Sequence, residues 1–148
     1  MKFALANIHY DGPLVTRWDV LLRIVADFSI LVERSVLYSE VEFCVVEFAV
    51  QLAEWLGRLG SERREFVYTS MESDVEGLVR FTPKGADHWC IATAHQARPE
   101  TRTFTTDELR RAALEFIHEL RVAVQDRVDI LDIVDDERAR AAVLAARD

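Results

Sequence analysis

The sequence is poor in residues that bend, break or cross-link a chain, with five glycines, three prolines and two cysteines among its 148 residues. Scattered glycine excludes a collagen-like repeat and disfavours a glycine-rich phosphate loop. The cysteines, Cys44 and Cys90, lie in apolar runs and predict reduced, packed thiols rather than a disulfide framework. No apolar run approaches the roughly 20 residues of a membrane span, and the first residues lack the pattern of a secretory signal. We therefore expect one compact cytoplasmic domain over residues 1–148.

Positive charge is also scarce. Eighteen lysines and arginines stand against 26 aspartates and glutamates, which gives a formal net charge of −8. A field of this sign repels nucleic-acid phosphates and favours basic partners. We expect no nucleic-acid partner, no membrane partner, and a basic protein as the preferred one.

Hydrophobic periodicity predicts an α+β fold. The expected architecture is an antiparallel sheet of about five or six strands, with a buried central helix and a C-terminal amphipathic helix packed on one face. The expected order along the chain is N-terminal strands over residues 1–38, the central helix over 39–60, a three-stranded meander over 65–96 and C-terminal helices over 105–148.

Two capping-box patterns mark the expected helix starts. Ser39 with Glu42, and Thr105 with Glu108, each place an acid three residues after a hydroxyl side chain. After Ser39 the polar positions form one narrow stripe, so most of that helix is expected to be covered; these positions are Glu40, Glu47, Gln51, Glu54 and Arg58. The helix that follows Thr105 has a single apolar stripe and is expected to expose its other face.

Alternation of apolar and polar residues predicts a strand over residues 18–26, with Trp18 on its buried face. Trp55 and Trp89 also lie on apolar faces of expected elements. Aromatic residues can line ligand pockets, but this placement favours core packing for all three tryptophans.

No motif for a known catalytic chemistry is present. The sequence has no nucleophile elbow, zinc-protease motif, phosphate loop or dinucleotide-binding fingerprint. In an expected strand, His88 and Cys90 share one face while His95 lies on the other, so these side chains do not converge on a metal. We predict no catalytic residue, no metal ligand and no cofactor.

Acidic residues are concentrated in two places, and they are the candidate partner-binding residues. One group lies on an expected hairpin loop and the other near the C-terminus: Glu72, Asp74 and Glu76, then Asp129, Asp132, Asp135 and Asp136. Each group is either a solvated face or a docking surface for a basic protein.

Five segments in this order resemble small uncharacterised bacterial proteins, some of which are similar to immunity proteins of polymorphic toxin systems. The segments are the N-terminal hairpin, the Ser39-capped helix with VVEFAVQLAEWL, the strand region FVYTSMESDVEGLVRF, the strand HWCIATAH and the final amphipathic helix, which together cover roughly residues 19–124. The resemblance implies a non-enzymatic, antitoxin-like protein that covers a toxin's active site, with acidic groups in place of nucleic-acid phosphates.

Two alternatives from other classes stay open. A small-molecule-binding or hydrolytic domain would have a cleft between the sheet and the central helix, with His88, His95 and His118 as the groups suited to proton transfer. A homodimeric structural protein would use the apolar central helix or the alanine-rich C-terminal segment as its interface.

Overall fold

The computed structural model describes residues 1–96 and 99–146. Over these residues the chain forms seven strands in two antiparallel sheets, four α-helices and one short 3-10 helix, so the α+β class is confirmed. The last two residues of the region expected at 105–148 lie outside the described residues. None of the helices in the described part is long and apolar enough to cross a membrane.

The first sheet has three strands in the order β1 (Lys2–Tyr10), β2 (Ile24–Val32) and β3 (Ser35–Cys44). Strand β2 lies in the centre, and every second residue along it, from Ile24 to Val32, faces the core and is buried. Between them Asp27, Ser29 and Leu31 remain partly exposed on the outer face. The sheet therefore has one covered face and one face open to solvent.

The prediction of a strand over residues 18–26 is wrong for residues 18–23, because these residues belong to the helix α1 (Arg17–Arg23). Thr16 caps this helix by accepting a hydrogen bond from the Asp19 backbone, and the Asp19 carboxylate accepts from Thr16 and Val15. These backbone donors hold the pKa of Asp19 below its ordinary value. The capping box stabilises a helical turn that alternation alone did not reveal. As a result Trp18 is 54% exposed and is not a core residue.

The central helix, α2 (Val45–Arg58), begins later than the residue 39 that the sequence predicts. Ser39 and Glu42 lie in β3, whose backbone is already hydrogen-bonded to β2, so they do not form a capping box. Ladder pairing with β2 therefore overrides a local capping signal. The prediction that this helix is covered on nearly all sides is confirmed, with ten of its residues buried.

The second sheet has four strands in the order β4 (Phe66–Tyr68), β5 (Val79–Lys84), β6 (His88–Thr93) and β7 (Thr103–Thr105). The expected meander is confirmed as β4, β5 and β6. The prediction of a single sheet of five or six strands is wrong, because the described residues form separate sheets of three and four strands. Strand β7 has only three residues, too few to show an alternating pattern in the sequence.

Helix α3 (Thr106–Val124) is capped by Thr105 and Glu108, as the sequence predicts. Its apolar stripe, which includes Phe116, packs against β1 and α2. A 3-10 helix (Ile130–Asp132) and α4 (Glu137–Ala145) follow, and α4 folds back onto α2. This contact covers part of the apolar surface of α2, which is one of the two interfaces that the homodimer hypothesis offers.

Phe48 of α2 lies at the centre of the core. Its ring centroid is 5.0 Å from that of Phe28 in the first sheet, 5.0 Å from Tyr68 in the second and 5.4 Å from Phe116 of α3. These rings fill the space between the first sheet and α2. The ligand cleft expected at this position is therefore closed by side chains.

Trp55 and Trp89 are both buried, as the sequence predicts. Their rings meet edge to face at 5.3 Å. The Trp55 indole donates to the carbonyl of Arg64 at 3.0 Å, and the Trp89 indole donates to the Thr106 hydroxyl at 2.9 Å. Each ring thus combines apolar burial with a satisfied polar group.

The approach of α4 to α2 requires glycine at position 57. A Cβ atom added to Gly57 would lie 2.6 Å from the backbone nitrogen of Ala139. We expect Gly57→Ala to lower the free energy of unfolding by about 1 to 3 kcal/mol in urea titrations, because the two helices must separate. Gly60→Ala is the matched control, since its Cβ would meet nothing within 4 Å. Equal stability of the two variants would contradict this account.

The tryptophans provide a second test of the packing. Trp55→Ala should destabilise the protein by about 3 to 5 kcal/mol, through lost burial and the cavity it leaves. Trp18→Ala should change stability by no more than about 0.5 kcal/mol, because the ring is largely in solvent. Thermal unfolding of both variants checks the contrast, and comparable losses would place Trp18 in the core after all.

Candidate functional site

Two of the C-terminal candidate acids are helix caps. The Asp129 carboxylate accepts from the backbone of Leu131 at 3.0 Å and lies 3.6 Å from the guanidinium of Arg121. The Asp136 carboxylate accepts from the backbone of Ala139 at 3.0 Å and caps α4. Both charges are therefore partly compensated within the chain.

The other two C-terminal acids differ from each other. Asp135 forms an ion pair with Arg17 at 3.2 Å, and this pair links the C-terminal segment to α1. Asp132 is exposed within the 3-10 helix. Most of this group thus contributes to local structure, and Asp132 is the member that forms neither an ion pair nor a side-chain hydrogen bond within residues 1–96 and 99–146.

The acids on the hairpin loop have a different setting. Glu72, Asp74 and Glu76 are all exposed in the segment that connects β4 to β5. The backbone N–H of Glu72 donates to the Ser70 hydroxyl at 3.2 Å, at the start of the loop. None of the three carboxylates forms an ion pair within the described part of the chain.

The loop is attached to the core by Glu47, a residue in the first turn of α2 that is only 5% exposed. One carboxylate oxygen accepts from the backbone of Met71 at 2.9 Å, and the other accepts from the Ser70 hydroxyl at 3.2 Å. A buried carboxylate is tolerated only with such donors. Glu47 therefore fixes the position from which the acidic loop departs.

Strand β3 brings two further carboxylates to the same place. Glu40, Glu42 and Glu72 line one small notch of about 100 Å³, with Cys44 and Tyr68 also in its wall. The Tyr68 hydroxyl reaches the carbonyl of Cys44. We call Glu40, Glu42, Glu72, Asp74 and Glu76 together the acidic edge.

Crowding of negative charge is evident at Cys44. Burial, with smaller contributions from the nearby carboxylates of Glu47, Glu72 and Glu40, raises the pKa of its thiol to about 11. The thiol donates to the carbonyl of Leu22 at 3.8 Å. At neutral pH Cys44 is therefore a packed thiol and not a thiolate nucleophile.

A β-bulge shapes the acidic edge. Val41 and Glu42 together lie opposite the single residue Asp27, and Glu42 adopts a left-handed backbone with φ of 54°. Such a conformation is costly for a residue with a side chain and is concentrated at functional positions. The bulge places Glu42 within 3.9 Å of His9 in β1.

Apolar side chains are interspersed with these carboxylates. Val41 is 69% exposed and Met71 is 66% exposed, one on β3 and the other at the start of the acidic loop. Large apolar residues rimmed by charged ones are typical of protein-interaction surfaces. The acidic edge thus offers apolar contact area as well as charge.

The three histidines of the enzyme hypothesis do not converge on one site. His88 begins β6, whereas His95 follows the end of that strand and has a left-handed backbone. His118 lies on α3, in a groove whose lining includes neither of the other two. In residues 1–96 and 99–146, no group of three or more His, Cys, Asp or Glu side chains is placed to hold a metal ion.

Sequence reasoning missed Glu40, Glu42 and Glu47 as members of this site. It assigned Glu40 and Glu47 to the solvent stripe of a helix and Glu42 to a cap. A signal was available at Glu47, because an acid inside the apolar run from Phe43 to Val50 must either face water or find donors. Which donors it finds depends on the fold.

The fold and this surface define an acidic α+β protein in which a buried carboxylate supports an exposed acidic loop. The chain belongs to the family described as a domain of unknown function (DUF7878), whose sequence model matches residues 2–126. The matched region contains the acidic edge, and the 3-10 helix and α4 lie beyond it. No curated protein and no solved structure matches the chain.

Glu47 predicts a specific dependence of stability on pH. Burial raises the pKa of Glu47 above its ordinary value of 4.5, against the opposing effect of the hydrogen bonds from Met71 and Ser70. The folded state then holds this proton more tightly than the unfolded state, so the contribution of Glu47 to stability falls as the pH rises above that value. In Glu47→Gln the amide can still accept from Met71 and bond to Ser70, but it does not ionise.

We expect the free energy of unfolding of Glu47→Gln, relative to the wild type, to increase between about pH 4 and about pH 7. Urea titrations at several pH values measure this difference. Glu54→Gln, on the same helix, controls for the loss of one negative charge. A difference for Glu47→Gln that does not change with pH would rule out a raised pKa in the folded state.

Proposed function

We propose that this protein is a non-enzymatic protein-binding module that holds a basic partner at the acidic edge. The observation that carries the proposal is the convergence of Glu40 and Glu42 of β3 with Glu72 of the loop after β4 on one notch. Val41 and Met71, which are adjacent to these acids in the sequence, are exposed. Glu47 supports this arrangement from within the core, so the surface is preorganised for binding.

Mutual repulsion among the carboxylates favours a cationic partner. Burial has the largest effect on the pKa values of Glu47 and Cys44, and the Glu72 carboxylate also raises both, so additional negative charge at this place is unfavourable in the free protein. A lysine or arginine side chain entering the notch would relieve that repulsion as well as gain attraction of its own. The field would also accelerate association with a basic protein.

The specific form of the proposal is an immunity-type or antitoxin-like function. The resemblance described above supports it, because such proteins cover the basic active site of a toxin with acidic groups. The acidic edge would then occupy a surface on the toxin that otherwise binds phosphates. The C-terminal acids have a secondary part in this proposal, since Asp129, Asp135 and Asp136 are engaged within the chain.

The test is a pull-down of the tagged protein from a lysate of its native host, with mass spectrometry of the retained proteins at low and high salt. The loop variant Glu72→Gln/Asp74→Asn/Glu76→Gln is compared with Asp126→Asn/Asp132→Asn/Glu137→Gln, which removes the same number of charges near the C-terminus. We expect the wild type and the C-terminal variant to retain one basic protein in a one-to-one complex that salt weakens.

The loop variant should lose this protein, and its association rate with the purified partner should fall by about tenfold or more at low salt. Retention by the loop variant and loss by the C-terminal variant would move the binding site to the C-terminal acids. Retention by both variants would show that acidic charge does not bring the partner to the protein.

A further inference from the structure

Helix α1 exposes a tryptophan that is not part of the core. Trp18 is 54% exposed, whereas Trp55 and Trp89 are buried at 6% and 0%. Val15, which precedes the Thr16 cap of the same helix, is 80% exposed. Two exposed apolar side chains so close in the sequence are informative, because tryptophan is enriched among the residues that dominate protein–protein binding.

The charged side chains of α1 are paired within the chain. Arg17 forms an ion pair with Asp135 at 3.2 Å, and Arg23 forms one with Asp19, also at 3.2 Å. The helix itself therefore adds no uncompensated charge around Trp18. What it offers a partner is apolar contact area.

The backbone of α1 is fixed at both ends. The capping box holds its first turn, and at its other end the carbonyl of Arg23 accepts from the backbone of Asp11 at 2.8 Å. The Arg23 guanidinium also donates to the carbonyl of Pro13 at 3.1 Å. A partner would thus meet an aromatic ring on a preorganised support, which lowers the entropy lost on binding.

Helix α1 borders the acidic edge. The Cys44 thiol that donates to the carbonyl of Leu22 at 3.8 Å also lies in the wall of the acidic notch. Trp18 precedes Leu22 by four residues, which is about 6 Å along the axis of a helix. The exposed ring is therefore carried by the helix that contacts the wall of the notch.

We propose that Trp18 and Val15 are the apolar anchor of the surface whose charged part is the acidic edge, and that the basic partner presents an apolar side chain flanked by cationic ones. This inference rests on the proposed protein-binding function and specifies the chemistry of the partner. Carboxylates alone attract any basic chain, whereas an apolar anchor near them selects a chain with an apolar side chain among its basic ones. The covered ring also excludes water from the contact.

The experiment compares two synthetic peptides of equal charge, KKLLKK and KKSSKK, both with blocked termini, titrated into the full chain at low ionic strength. KKLLKK should bind the wild type about tenfold more tightly than KKSSKK, because only its leucines can cover the Trp18 ring. Tryptophan emission should shift to shorter wavelength and become less accessible to acrylamide when KKLLKK binds. Trp18 dominates this signal, since Trp55 and Trp89 are already buried.

Variants separate the apolar contact from the charged one. Trp18→Ala should bind the two peptides within about twofold of each other and leave the affinity for KKSSKK unchanged, whereas Trp18→Phe, which retains an apolar ring, should keep most of the preference. Val122→Ala is the matched control, since Val122 is 49% exposed on α3, and it should bind both peptides like the wild type. The loop variant Glu72→Gln/Asp74→Asn/Glu76→Gln should bind both more weakly and retain the preference.

Thermal unfolding of each variant verifies that it is folded. The inference is overturned if the wild type binds the two peptides equally, or if Trp18→Ala retains the full preference. Equal weakening of both peptides by Trp18→Ala would assign the ring to lysine and would also overturn it. The proposed function fails separately, if the loop variant binds both peptides as tightly as the wild type; binding of neither peptide to the wild type overturns both.

Discussion

Aromatic packing around Phe48 joins the two sheets, which share no hydrogen-bonded ladder among the described residues. Its ring contacts Phe28 of the first sheet and Tyr68 of the second, and Phe3 stacks on Phe81 beside it at 5.9 Å. Because the backbone of α2 is fixed at Phe48, the preceding residue, Glu47, is fixed as well. The position of the acidic loop relative to β3 therefore depends on hydrophobic contacts in the core, and the rigidity of the proposed binding surface depends on them too.

Predictions from the sequence were correct where contacts within a single helix or strand determine the structure. The Thr105 cap and the burial of Trp55 and Trp89 follow from patterns within one element, and the structure agrees with each. The errors lie where a distant segment decides the outcome. Ser39 has the context of a cap, but pairing with β2 keeps it in a strand. Trp18 alternates like a strand residue, but the Thr16 capping box forms a helix there.

In the candidate site, too, the features set by nearby residues could be predicted and those set by distant segments could not. The loop acids could be recognised because they are close together in sequence. Their association with Glu40 and Glu42 could not, because the notch forms only when the end of β3 and the loop after β4 meet around the start of α2. The ion pair of Asp135 was equally hidden, since Arg17 lies far from Asp135 along the chain.

The bulge at Val41 and Glu42 has a consequence for how any partner can approach β3. This strand lies at one border of its sheet, where free backbone groups invite another chain to add a strand. The left-handed Glu42 interrupts the regular spacing of those groups, and the carboxylates beside it repel a second acidic copy of the chain. A partner that bound at this border would therefore contact side chains rather than add a strand, and the same irregularity disfavours edge-to-edge aggregation.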